Sequence, residues 1–348
     1  MFKFDFGIED DGVELAQSES SSPKLEIQSE PFTDLPLSQL LESLPPLISY
    51  SPLSIPLSSS RKNATLARRD LFDARFQLIS DGGGDEPPAP TSALGFLDAP
   101  SDLIPGVYEG GLKTWECSLD LVDYLAGLED SRSSYFSGKR IFEVGCGTGI
   151  PSVYILHRLF CGDPNAGSHV HLQDYNASVL ELITFPNIIL AWYMSPASAE
   201  YRASAPEECP PADPSVPGEL PITPDLKGAF TASLATHGIS LAFSSGSWDS
   251  LINHLDAKSD IVVTSETIYR TEALPALIAL LRKACTDTQP HCLVAAKVLY
   301  FGVGGGVSEF VRALESKTML EKGCAGKAES VWERKVGVGR KIMRIEWV

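Results

Sequence analysis

The sequence predicts an α/β fold: an open, mostly parallel sheet with helices on both faces, ending in an antiparallel hairpin. Three observations predict it. Short apolar, β-branched runs recur at residues 141–144, 170–173, 239–243, 260–264 and 291–297, the lengths of buried strands. Stretches with helical spacing lie before or between them, at residues 119–128, 150–156, 177–184 and 274–285. Residues 331–336 and 341–348 are two further strand-like runs flanking Gly337 and Gly339, the pattern of a hairpin.

The first strand carries the most informative stretch, Arg140-Ile-Phe-Glu-Val-Gly-Cys-Gly-Thr-Gly-Ile150. Ile141, Phe142 and Val144 read as a buried strand, and Gly145, Gly147 and Gly149 turn the chain so that backbone N–H groups can approach a ligand. A helix follows, with Pro151 tolerated in its first turn. A glycine cluster alone fits many loops. Context adds weight, because the next strand ends in Asp174, where an acidic residue is placed to hold a ribose hydroxyl pair. Ile150 stands where a dinucleotide fingerprint has its third glycine, so the spacing is G-x-G-x-G. With Glu143 just before the glycines, the loop resembles the cofactor loop of S-adenosylmethionine-dependent methyltransferases; NAD(P) is the alternative cofactor. Glu143, Gly145 and Gly147 are candidate cofactor contacts.

A chain of 348 residues holds one large α/β domain plus extra segments. A net charge of -17 argues against direct nucleic-acid binding and fits either a basic partner or plain solubility. The seven cysteines are scattered and form no C-x-x-C, so neither a metal site nor a disulfide framework is expected. No apolar run approaches the length of a membrane span, and no signal peptide is expected from the charged amino terminus. A monomer is expected.

Residues 1–60 are rich in Ser, Pro and acidic residues and are expected to form a disordered amino-terminal segment; Phe2, Phe4 and Phe6 within it are either a docking motif or an ordinary terminus. Residues 61–105 read as an arm and linker. Leu66, Leu71, Phe72, Phe76 and Leu78 supply contacts to the folded domain, and residues 82–90 form the linker. The main domain then spans 106–348, with the Pro-rich residues 195–224 as an insertion loop.

Three further stretches suit a site. Trp115 and Glu116 stand between a glycine turn and a helix, as core packing or as a lid over the methionine end of a cofactor. Gly246-Ser-Trp248 follows a strand, so Trp248 either stacks on adenine or fills the core. Ser265, Glu266 and Tyr269 emerge at the carboxyl end of the central strand, where open α/β sheets bind ligands. The glycines of Tyr300-Phe-Gly-Val-Gly-Gly-Gly306 form a flexible turn or a loop over the substrate.

The motif series names a family. Gly110-Gly-Leu-Lys-Thr-Trp-Glu-Cys117, Glu143-Val-Gly-Cys-Gly-Thr-Gly149, Gln173-Asp-Tyr-Asn176, Gly246-Ser-Trp248, Thr264-Ser-Glu-Thr-Ile-Tyr269 and Lys297-Val-Leu-Tyr-Phe-Gly-Val-Gly-Gly-Gly306 occur in that order. Together they resemble the protein-histidine N-methyltransferases, in the manner of the fungal members, over residues 106–348. The likeness extends to Arg61-Lys62, Arg69-Asp-Leu-Phe-Asp73 and the Phe-rich amino terminus. Each motif alone is unspecific; the order of the last two separates this group from related lysine methyltransferases. Residues 195–224 match nothing in the family pattern. The resemblance implies the Rossmann-like, seven-stranded class I methyltransferase fold. It also implies S-adenosyl-L-methionine contacts at Thr114, Trp115, Glu116, Cys117 and Ser118, at Gly145, at Asp174, Tyr175 and Asn176, at Gly246, Ser247 and Trp248, and at Ser265. The substrate it implies is one histidine of a large-subunit ribosomal protein, methylated at the tele nitrogen, in the cytoplasm and nucleus. Ribosomal proteins are basic, in agreement with the acidic chain.

Methyl transfer from a sulfonium is an in-line displacement, and neutral imidazole is already a nucleophile. The enzyme must select the tautomer whose attacking nitrogen is bare, which a carboxylate hydrogen-bonded to the other nitrogen does. Glu116 and Glu266 are the candidate catalytic residues; either is equally suited to binding cofactor or capping a loop. A protein-lysine methyltransferase and a non-catalytic ribosome-assembly factor are the competing functions.

Overall fold

The structure, a computed structural model, describes residues 30–81, 103–104, 108–132, 134–164, 167–204, 209–288, 290–300 and 304–348. Its amino-terminal part holds β1 (Thr33–Asp34), α1 (Leu37–Glu42), β2 (Leu47–Pro56), β3 (Asn63–Arg69) and α2 (Leu71–Asp81), then the short pair β4 (Leu103–Ile104) and β5 (Tyr108–Glu109). Next come α3 (Glu116–Ser131), β6 (Arg140–Val144), α4 (Ile150–Cys161), β7 (Ser168–Asp174) and α5 (Ala177–Tyr193). These lead into α6 (Ala199–Ser204), β8 (Gly218–Pro221), α7 (Pro224–His237), β9 (Ile239–Ser245), α8 (Trp248–Leu251), β10 (Ile261–Ser265) and α9 (Leu274–Ala284). The chain ends with β11 (His291–Lys297), α10 (Val307–Leu314), α11 (Lys317–Glu321), β12 (Gly326–Arg334) and β13 (Arg340–Trp347).

Side-chain alternation along the central strands builds two cores, one on each face of the sheet. Ile141 of β6, Ile261 and Val263 of β10, and Leu293 and Ala295 of β11 enter one core. Phe142 and Val144, Val262, and Cys292 and Val294 of the same strands enter the other. Leu121, Val153 and Ile188, from α3, α4 and α5, cover the first face; Leu277 and Phe310, from α9 and α10, cover the second. The sheet order is β1-β9-β7-β6-β10-β11-β13-β12. Strands β9, β7, β6, β10 and β11 are mutually parallel, and β13 and β12 close the edge as an antiparallel hairpin. This is the seven-stranded class I methyltransferase layout that the sequence predicts. An eighth strand, β1, pairs antiparallel with β9 at the opposite edge.

The expectation of a disordered segment over residues 1–60 is corrected for residues 30–60. Strand β2 lies between β3 and β8 in a second, antiparallel sheet, and Leu35, Leu40, Leu44, Ile48, Tyr50 and Ile55 join the larger core. The Ser- and Pro-rich composition hides this strand. Pro52 and Pro56 break the strand signal, yet β8 covers only Leu47–Tyr50. Both prolines therefore stand where, among the described residues, one side of β2 has no neighbour to receive an N–H.

Residues 195–224, expected as an insertion loop, are corrected in the same way. Ser195 caps a short turn at Pro196–Ser198, α6 follows, and β8 pairs with β2 while burying Leu220. Helix α5 runs on past the expected stretch 177–184 and through Pro186: a π turn at Leu180–Thr184 precedes it, and the Leu182 carbonyl, which Pro186 has no N–H to serve, accepts from Arg69 Nη1 at 2.7 Å. Phe2, Phe4 and Phe6, the linker at 82–90, the start of the main domain at 106 and residues 301–303 lie outside the described residues. Among the described residues, no single helix is long and apolar enough to cross a membrane, and no group of His, Cys, Asp and Glu residues has the arrangement of a metal site.

Candidate active site

Parallel strands present their carboxyl ends at one edge, and the sheet order sets what lies beside what. Gly246, Ser247 and Trp248 follow β9; Asp174 ends β7; Gly145 to Gly149 follow β6; Ser265 and Glu266 lie at the end of β10; Lys297 ends β11. A cavity of about 640 Å³ lies over this row. Its wall contains Gly145, Gly147, Asp174, Tyr175, Ser247, Trp248, Ser265 and Glu266, together with Trp115 and Ser118 from the start of α3.

The glycine turn is sterically required. Gly145 and Gly147 have φ of 61° and 52°, in the left-handed region. A Cβ on Gly145 would lie 2.6 Å from the Thr267 methyl, and one on Gly147 would lie 3.2 Å from the Gly111 backbone. The Gly147 N–H donates to Asp174 Oδ2 at 2.8 Å, and the Asn176 N–H donates to Oδ1 at 3.1 Å. Gln173 ties neighbouring loops together: its Oε1 accepts from the Gly145 N–H at 3.2 Å, and its Nε2 donates to the Gly246 carbonyl at 2.9 Å.

Several candidates stand behind the wall rather than in it. Glu143 is buried beneath the glycine turn, where Oε2 accepts the Ser152 N–H at 2.9 Å and anchors the start of α4. Burial drives its carboxyl up to about 7, opposed by Ser152. The Thr114 hydroxyl donates to that of Thr148 at 3.2 Å, and Asn176 Nδ2 donates to the Gly110 carbonyl at 3.1 Å. Cys117 is fully buried, and burial, followed by the nearby Glu266 carboxylate, pushes its thiol far up. Gly246 borders a smaller cavity beside Glu30 and Pro31.

At the β10–β11 end three charges converge. Glu266 has φ of 59°, an uncommon conformation for a residue with a side chain. Its side chain is 8 % exposed; Oε1 lies 3.4 Å from the Cys117 N–H donor and 3.6 Å from Lys297 Nζ, and the Tyr300 hydroxyl and Cys117 thiol lie against the carboxylate. Glu116 Oε2 lies 3.2 Å from the same ammonium, on a side chain that is 54 % exposed. Burial pushes the Glu116 carboxyl up, but a backbone hydrogen bond at the helix start and Lys297 outweigh it and hold it below the usual range. The ammonium also stands 4.6 Å over the Trp115 ring. The sequence reading singled out both carboxylates and missed Lys297 as a site residue. The available signal was its position at the carboxyl end of a parallel strand.

Five parallel strands in this order, with a glycine turn after one and an acid ending its neighbour, define a class I methyltransferase. No protein-family model matches the chain. It is 36% identical over 267 residues to histidine protein methyltransferase 1 of Saccharomyces cerevisiae, spanning 74% of this chain and 70% of that one. It is 31% identical over 326 residues to histidine protein methyltransferase 1 of Schizosaccharomyces pombe, spanning 90% and 85%. The chain therefore belongs to the histidine protein methyltransferase 1 family. Among solved structures it is similar to the magnesium protoporphyrin IX methyltransferase of Synechocystis with bound SAM, at a TM-score of 0.35 and 12% identity over 66% of this chain and 79% of that one. That likeness is too distant to carry any argument about the site.

Proposed function

We propose that the chain transfers a methyl group from S-adenosyl-L-methionine to the tele nitrogen of a histidine in a basic, large-subunit ribosomal protein. In this reading it acts as a monomer in the cytoplasm and nucleus and binds no nucleic acid directly. The observation that carries the reading is Glu266: a carboxylate paired with Lys297 at 3.6 Å, in the wall of a cavity that also holds a glycine turn and Asp174.

The residues present fit the cofactor. The glycine turn brings backbone against the cavity where a side chain has no room. Asp174 stands in the cavity wall at the end of its strand, and the Gly147 and Asn176 N–H groups that donate to its two oxygens fix the carboxylate beside the glycine turn, the place of an acid that takes ribose hydroxyls. Trp248, beyond Asp174 along the row, suits the adenine, and the β10–β11 end suits the reacting groups. When bound, the cofactor supplies a methyl on a sulfonium, open to in-line attack. Glu266 accepts the N–H of one imidazole nitrogen, leaves the other bare, and stabilises the ring as it becomes cationic.

Asp174→Ala is expected to lose roughly 1.5–3 kcal/mol of affinity for S-adenosylhomocysteine, the range for a hydrogen bond to a charged group. Calorimetry returning the wild-type affinity would remove Asp174 from the ribose site.

The function itself is tested by incubating the protein with labelled cofactor and ribosomal proteins from a strain lacking the gene, then identifying the methylated residue after acid hydrolysis. Methyl-histidine is expected. The rate should fall as pH drops below about 6.5, because the acceptor must be deprotonated. Methyl-lysine, with a rate still rising above about pH 8, would assign the chain to lysine chemistry instead.

A further inference from the structure

We propose that Lys297 is a specificity-determining residue that trims the charge of the acceptor site so that it takes a neutral imidazole and refuses a cationic amine. This rests on the histidine-methyltransferase reading above. The ammonium lies between two carboxylates, 3.2 Å from Glu116 and 3.6 Å from Glu266, on a side chain that is 15 % exposed. One cation against two anions leaves this cluster with one net negative charge.

The groups packed directly against the cluster do not change that sum. From α3, Cys117 is held as a neutral thiol by burial and by the Glu266 carboxylate, and Asp120 is spent on Arg340 through two hydrogen bonds. Arg340 is the residue of β13 that stands opposite Lys297. Beyond β11, burial together with Glu266 keeps the Tyr300 hydroxyl protonated. Further along the cavity wall, Lys113 and Arg270 stand against Asp174, Asp249 and Glu272, a background of one net negative charge that replacing Lys297 leaves unchanged.

Methyl transfer moves one positive charge from sulfur to the imidazole ring. A cluster of one net negative charge matches that single charge before and after the step. Two net negative charges would reward an additional proton on the acceptor. A lysine ammonium or an imidazolium has no lone pair to attack with, so that reward would fill the site with dead acceptors. Lys297 removes it.

The test uses the full chain with Lys297→Met and Lys297→Arg, and its first readout needs no turnover. Calorimetry gives the affinity ratio of S-adenosylmethionine, a sulfonium, to S-adenosylhomocysteine, a neutral thioether. In Lys297→Met the ratio should rise about tenfold in favour of the sulfonium, since an uncompensated charge within several Å in a partly buried site is worth about that much. Lys297→Arg keeps the charge and should keep the ratio, which separates a charge effect from misfolding. The second readout is the acid limb of kcat against pH, which should move up by about one unit in Lys297→Met as the bound imidazole becomes easier to protonate. Equal losses of affinity for both nucleosides would overturn the proposal and make Lys297 a holder of the cofactor carboxylate. A ratio unchanged from wild type in Lys297→Met would overturn it outright. If the wild-type protein methylates no histidine, the functional reading fails by itself, and the affinity ratio still decides the role of Lys297.

Discussion

A chain beginning at Arg61 is expected to melt at least about 10 °C below one beginning at Glu30, and to bind cofactor poorly. Removing residues 30–60 takes away β2, the central strand of the second sheet, so β3 and β8 both lose their ladder partner. It also takes six buried side chains, Leu35, Leu40, Leu44, Ile48, Tyr50 and Ile55, out of the larger core. Burial of such side chains stabilises by about 1.5–3 kcal/mol each. The truncated chain no longer has to order this segment, which offsets part of the loss. The apolar surface that the segment covered stays behind and becomes wet. The same segment reaches the cofactor end of the sheet. The Glu30 carbonyl accepts from the Ser247 N–H at 3.0 Å and from the Ser250 hydroxyl at 3.1 Å, and Phe32 stacks on His254 with centroids 4.4 Å apart. Gly246 packs against the Pro31 carbonyl so closely that a side chain has no room. The Gly246 to Trp248 turn is thus held from outside by a strand pairing with the edge of the sheet. Differential scanning of the two chains measures the effect; melting temperatures within a few degrees of each other would show that this sheet contributes little.

Much of the main sheet is legible in the sequence because its signals are local. Strand β11 spans the residues expected for it, and β6 with its glycine turn follows from one eleven-residue stretch. Asp174 is legible for the same reason, since it ends a strand two positions after a buried leucine, Leu172. The amino-terminal sheet is not legible, because its strands become buried only through partners distant in sequence: β2 needs β8, more than 160 residues on. Its prolines argue against a strand until the extent of β8 shows that they sit beside no neighbour. Glu143 illustrates another limit. Its place in a cofactor-type loop suggests a ligand contact, yet alternation puts it on the opposite face from Phe142 and Val144, under the first turn of α4. Lys297 carries only a weak signal, its position at the carboxyl end of a parallel strand, for the reverse reason. A lysine at a strand end reads as an ordinary solvated charge, and its meaning comes only from Glu116, Trp115 and Glu266 converging on it from other elements.

Of the two candidate carboxylates, Glu266 is the one whose loss should matter most to catalysis. The argument is one of dielectric. A side chain 8 % exposed acts on a developing charge with far less screening than one that is 54 % exposed. Glu266 also stands in the cavity wall at the end of β10, whereas Glu116 is held by Lys297 at 3.2 Å at the start of α3. Glu266→Gln keeps the shape but replaces a charged acceptor by a neutral amide, which can turn its NH₂ toward the ring and favour the wrong tautomer. A positioned acid–base or orienting group is worth about 10²–10⁴ in rate, so kcat should fall at least 100-fold. Affinity for S-adenosylhomocysteine should stay within about threefold, since the thioether carries no charge for the carboxylate to stabilise. Glu116→Gln, at the exposed position, should cost less than about tenfold. Single-turnover rates and calorimetry on the two variants separate the roles. A Glu266→Gln rate within threefold of wild type, or a larger loss in Glu116→Gln, would move the orienting role to Glu116.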